Sequence, residues 1–155
     1  MHKAPWLDYG NSLLHGFPET QLKRLRQIHH QAARLITRTK RRDNIKPVLK
    51  SLHWLPIEYR AKFKILCQVF KCLNGQGPKY LSDLIISYDP NRLLRSSYKN
   101  LLAVPDYNLK TVGPRAFSIC GPVLWNGIPD YIKESKSIQS FKSSLKTYYF
   151  RQAYQ

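Results

Sequence analysis

PETQLKRLRQIHHQAARLIT, residues 18–37, is the stretch whose spacing decides the fold class. Pro18 suits a first helical turn, and Glu19 complements the positive end of the helix dipole. Leu22, Leu25, Ile28, Ala32, Leu35 and Ile36 recur at helical spacing and form the face expected to be buried. Lys23, Arg26, His30 and Arg34 fall on another face. The segment is therefore predicted to be a long helix with a buried stripe and a basic stripe.

The same periodicity recurs downstream. A polar, basic loop at 38–44 leads to a short helix over Ile45–Leu52, which Pro56 stops because the residue before proline avoids the helical region. Trp54 is expected to wedge into the core. Residues 56–73 form a second long helix with Tyr59, Phe63, Leu66, Phe70 and Leu73 inward and Arg60, Lys64 and Lys71 outward. Asn74-Gly75 and then Pro78 end it. A short helix follows at 79–86. Leu101–Val104 and Leu109–Val112 are expected to be two short strands flanking Pro105-Asp106, and Arg115–Trp125 a helix interrupted by Gly121-Pro122. A last helix, 137–152, turns Ile138, Phe141, Leu145, Tyr148 and Tyr149 inward and Lys142 and Lys146 outward. The expected architecture is mainly α: a small helical bundle followed by a small C-terminal subdomain of helices with short β segments. Its divisions are a basic helical segment (1–55), a helical continuation (56–88), a linker or mobile loop (89–100) and a mostly helical subdomain (101–155).

Charge narrows the function. The 155 residues carry 26 Lys and Arg against nine Asp and Glu, a net charge of +17. Self-repulsion on that scale disfavours a free compact chain and is relieved by a polyanion. Nucleic acid, an anionic membrane surface and an acidic protein all qualify. The nine acids are scattered with no adjacent pair, so no local arrangement suggests the converging carboxylates of two-metal phosphoryl transfer. Cys67, Cys72 and Cys120 are odd in number and sit among apolar residues, which suggests buried thiols in a reducing compartment. Their spacing, and the adjacent His29 and His30, do not match a zinc site, and the two histidines are expected at the surface. No GxSxG elbow occurs. Gly75-Gln76-Gly77-Pro78 lacks the Lys-Ser/Thr of a phosphate loop, leaving a turn. No apolar run is long enough to span a membrane, and no secretory leader pattern is present. The protein is expected in the nucleus or cytoplasm, with no cofactor, no metal and no small-molecule substrate.

The basic set is the strongest functional signal. Lys23, Arg26, Arg34, Arg38, Lys40, Arg41, Arg42 and Lys46 lie within 24 residues, and Arg60 and Lys64 extend the set along the next helix. Such side chains neutralise phosphates and release condensed counterions, which gives sequence-independent binding. His53 and Tyr59 are candidates for stacking on unpaired bases. A nuclear-import signal at 38–42, or a basic amphipathic surface on anionic lipid, would use the same residues.

Several stretches match known motifs in order. LDYGNSLL (7–14) resembles LDYCNSLL, with Gly10 in place of Cys. AARLITRT (32–39) resembles AARLITxT, and IKPVLKSLHWLP (45–56) resembles ITPVLxxLHWLP. The match continues through Phe63-Lys64-Ile65, Pro78–Leu81, Leu93–Ser96, Leu101–Pro105, Arg115–Ser118 (after an unusual Pro114), Leu124–Asn126 with Ile128-Pro129, and Phe141–Thr147. The ordered series spans about residues 7–150 and resembles the region downstream of the polymerase palm in non-LTR (LINE-type) retrotransposon reverse transcriptases of the chicken-repeat and jockey-like clades. The resemblance implies a thumb-like helical segment and a C-terminal region that engage template–primer, element RNA or target DNA. It also implies that an apurinic-type endonuclease and the metal-binding aspartates of the RNA-directed DNA polymerase lie upstream, so no catalytic residue is carried over and the chain itself is not expected to be an enzyme. The apolar residues Trp6, Leu7, Leu13 and Phe17 are expected to need a partner, such as the rest of a reverse transcriptase. The alternative is a remnant of an insertion with no activity of its own.

Overall fold

The computed structural model describes residues 10–89, 100–109 and 112–155, the side chain of Asn11 excepted. The fold is mainly α. The chain divides into two compact units, Met1–Ala61 with Lys146–Gln155, and Lys62–Leu145. The division is not linear along the sequence, because the last ten residues count with the N-terminal part. The expected linker 89–100 and the motif stretch 7–9 fall outside the described residues except for Asp89 and Asn100.

The first unit opens with a 3-10 turn, Asn11–Leu14, and helix α1, Glu19–Thr37. The carbonyl of Pro18 accepts from the amides of Gln21 and Leu22, which starts α1 without a side-chain cap. Its end is set by Arg38, which adopts the left-handed conformation (φ 55°) while the amide of Thr39 donates to the carbonyl of Arg34 at 3.1 Å. Helix α2, Ile45–Ser51, begins where Asn44 Oδ1 accepts from the Lys46 amide at 3.0 Å. It packs against α1 and buries Leu49. Helix α3, Ile57–Leu73, contributes Ile57 and Ala61 to this unit, and the end of the last helix contributes Tyr149. Aromatic rings join these pieces: His53 stacks on Phe150 at 5.6 Å, Tyr59 meets Tyr149 at 5.4 Å, and half-buried Trp54 lies 5.1 Å from His29.

The expected orientation of α1 is corrected. Its buried face is Leu22, His29 and Ala33, whereas Ile28, Leu35 and Ile36 are 44, 82 and 54 % exposed. The helix is turned by about one residue, roughly 100°. A polar contact goes with this facing: Arg26, part-buried, reaches Glu58 on α3. His29, expected at the surface, is 1 % exposed.

The second unit holds the rest of α3, then α4 (Lys79–Ser82), a 3-10 turn (Gly113–Arg115), α5 (Phe117–Asn126), α6 (Asp130–Lys133) and the start of α7 (Ile138–Tyr154). Ile65, Leu66, Cys67, Val69, Phe70 and Cys72 are all buried, so α3 is enclosed nearly all round here. Leu73, expected inward, is 39 % exposed. The helix stops as expected at Asn74-Gly75: Gly75 takes φ +68°, and Asn74 Nδ2 donates to the Phe70 carbonyl at 2.8 Å. Phe141 lies in the centre, 4.4 Å from the Phe70 ring and 5.9 Å from Trp125.

Two further expectations change. α5 is continuous through Gly121-Pro122. Pro122 removes one backbone donor, but both residues are fully inside, and a Cβ on Gly121 would come within 3.1 Å of Val69 Cγ2. Glycine there allows α5 to approach α3 closely. Nor, among the described residues of 101–104 and 109–112, does a strand form. Among the described residues, β pairing is limited to an antiparallel bridge between Ser87 and Leu102; residues 110–111 are not described. The other edge of Leu102 is met by a side chain: Asn126 Oδ1 accepts from its amide and Asn126 Nδ2 donates to its carbonyl, both at 2.9 Å. One amide group thus serves as a neighbouring strand.

Candidate nucleic-acid interface

The loop between α1 and α2 carries the densest positive charge and is held from within. The guanidinium of Arg34 donates through Nη1 to the Lys40 carbonyl and through Nη2 to the Asp43 carbonyl, the latter at 2.9 Å. Asp43 closes the same turn: its Oδ2 accepts from the Lys40 amide at 3.1 Å, and its own amide donates to the Lys40 carbonyl. The Thr37 hydroxyl bonds the Ala33 carbonyl and meets the Thr39 hydroxyl at 2.7 Å. Arg38, Lys40, Arg41 and Arg42 are exposed on this fixed backbone, and Lys46 and Lys50 are exposed one turn apart on α2.

The predicted binding residues divide into groups. Lys23, Arg38, Lys40, Arg41, Arg42 and Lys46 are exposed in the first unit. Arg26 is engaged by Glu58 (Nε to Oε1, 3.0 Å) and by Glu19, whose carboxyl is held below its usual range by that hydrogen bond. Arg34 is a positioning residue for the loop. Arg60 is half-buried in the first unit, and Lys64 is exposed in the second. His53 and Tyr59, the stacking candidates, already have the aromatic partners Phe150 and Tyr149. Sequence reasoning missed Arg24 and Lys50, both exposed in the first unit. Lys50 was readable from its spacing, four residues after Lys46 on the same helix.

Beside this edge lies a groove of about 400 Å³ lined by Asn44, Lys46, Pro47, Lys50, Ala153, Tyr154 and Gln155. The Tyr154 hydroxyl donates to the Trp54 carbonyl, and its ring packs 4.8 Å from Phe150. Burial pushes the phenol up to about 12, so it stays protonated as a donor at neutral pH. His30, half-buried beside Arg26 and Arg34, is pushed below its usual value first by burial and then by those two cations.

The thiols offer little to a metal or an electrophile. All three are buried, and burial pushes Cys67 up to about 11 and raises Cys120. Among the described residues, no group of three or more His, Cys, Asp or Glu could hold a metal ion. Also among them, no helix is long and apolar enough to cross a membrane. No family model matches the chain, and no curated protein or solved structure shows a detectable similarity to it.

Proposed function

We propose that the chain is a non-catalytic, nucleic-acid-binding piece of a LINE-type reverse transcriptase, taken from the thumb and the region after it, and that it grips phosphate through the α1–α2 edge. One observation carries this reading. Arg34 and Asp43 hold the backbone of the 38–44 loop, so that Arg38, Lys40, Arg41 and Arg42 are displayed from a shaped turn instead of a loose tail. A preshaped cationic edge gives up less side-chain and loop freedom on binding than a disordered run does. The ordered motifs between residues 7 and 150 support the family, and the net charge of +17 supports a polyanionic partner. Template–primer duplex, element RNA and target DNA are all ligands of this kind.

A salt titration of duplex and structured-RNA binding tests it. The logarithm of the binding constant should fall by several units per decade of salt, at about 0.9 per duplex phosphate neutralised. Reversing Arg38, Lys40, Arg41 and Arg42 to Glu should weaken every sequence alike. A slope near zero sinks the proposal. A second reading, a remnant without activity, is favoured by the exposed stripe Ile28, Leu35 and Ile36, which suits a missing partner. It predicts self-association in sedimentation runs; a monodisperse, cooperatively melting monomer counts against it.

A further inference from the structure

We infer that the groove between α2 and the end of α7 holds one unpaired nucleotide of the bound strand, which makes the protein a reader of single-stranded segments. The inference rests on the nucleic-acid reading above and adds a ligand class to it. The groove lies wholly within the first unit, and its lining has two characters. Lys46 and Lys50, four residues apart on α2, bring two ammonium groups to one wall, next to the Arg41-Arg42 turn. Pro47, Ala153 and the Tyr154 ring supply apolar surface. The bond from the Tyr154 hydroxyl to the Trp54 carbonyl ties that ring to its own unit, so it is fixed before any ligand arrives. Asn44 Oδ1 is taken up by the Lys46 amide, which leaves its amide nitrogen as a donor at the rim. Cations next to a flat apolar patch match a phosphate joined to an exposed base. A duplex turns its bases inward and offers such a groove only phosphates. The volume, about 400 Å³, suits a ligand of nucleotide size. His53 and Tyr59 are occupied by rings of α7, so Tyr154 is the aromatic group that lines a cavity here.

The test compares three ligands on the intact chain: an oligothymidylate of roughly ten nucleotides, an abasic strand with the same phosphates, and a duplex of matched length. Two paired variants remove equal charge, K46Q/K50Q at the groove and K79Q/K136Q in the second unit. The wild type should prefer oligothymidylate over the abasic strand by about tenfold, the range of one base stacked on an aromatic ring. K46Q/K50Q should abolish that preference and weaken oligothymidylate about tenfold more than it weakens the duplex, whereas K79Q/K136Q should leave the preference in place. Equal effects of the two variants on both ligands overturn the inference and leave the nucleic-acid reading intact. So does equal affinity for the abasic strand. Loss by K46Q/K50Q of binding to phosphatidylcholine vesicles doped with phosphatidylserine, with oligothymidylate binding unchanged, assigns the groove to a lipid headgroup and also overturns it. No salt-dependent binding of any strand by the wild type removes both readings at once.

Discussion

Residues 62–145 bury Leu66, Val69, Phe70, Ile119, Trp125, Ile132, Phe141 and Leu145 around stacked rings, and their polar side chains mainly complete the backbone, as Asn126 does for Leu102. Residues 10–61 with 146–155 bury fewer large apolar groups. There, Arg26 with Glu58, Arg34 with two loop carbonyls, and a row of tilted aromatic pairs hold the helices. The first region is held by close packing. The second uses directional contacts to present charge, while Ile28, Leu35 and Ile36 remain at the surface. Comparing them separates the residues that make the protein stable from those that shape its candidate site.

The sharpest way to break that comparison is Phe141→Ala. Removing a fully buried ring from the packed unit should cost about 4 kcal/mol in denaturant melts. A loss under about 1 kcal/mol would mean that the packing is looser than described. Next comes Asn126→Ala, which strands the amide and carbonyl of Leu102 and should cost about 2 kcal/mol. If Asn126→Ala is neutral, water replaces the side chain and the strand-like role is lost. In the other unit, Arg34→Lys keeps the charge and loses the forked pair of bonds to the Lys40 and Asp43 carbonyls, because an ammonium cannot reproduce a planar guanidinium. It should cost about 1 kcal/mol and raise amide hydrogen exchange at 38–44. Affinity for duplex should fall although net charge is unchanged; unaltered affinity would show that the loop does not need its shape. The smallest effect is expected from Arg38→Gly. Glycine accepts the left-handed conformation without the Cβ penalty, so thermal stability should rise by about 0.5 kcal/mol while the salt slope drops by about one unit. A destabilised Arg38→Gly would show that the arginine side chain holds the end of α1 by itself.

The sequence disclosed the helices better than their facing. The starts at Pro18 and Pro56 and the stop at Asn74-Gly75 rest on local backbone chemistry, so they were legible. The rotation of α1 was not. Ile28 and Leu35 lie on one side, and His29 and Ala33 on another; apolar spacing alone favoured the first. The choice goes with Glu58, which is 32 residues from Arg26 and becomes its partner only in the fold. Gly121-Pro122 looked like a break because local rules count a missing donor and cannot see Val69 pressing on that glycine. The exposed loop cations were readable from composition. The internal use of Arg26 and Arg34 was hidden, since a charged side chain carries no mark of whether it faces solvent or a carbonyl.

The last helix has a consequence for how the molecule is made. Tyr154 bonds to Trp54 across 100 residues of chain, and residues 146–155 count with the N-terminal unit. Residues 62–145 are contiguous, so all of that unit's segments are made before residues 146–155 are. The N-terminal unit is split, and Trp54 must wait for 100 further residues before its partner Tyr154 is made. Contacts of such long range form slowly. During that interval the basic loop is already outside the ribosome, so a nascent chain can meet RNA before its N-terminal unit has closed.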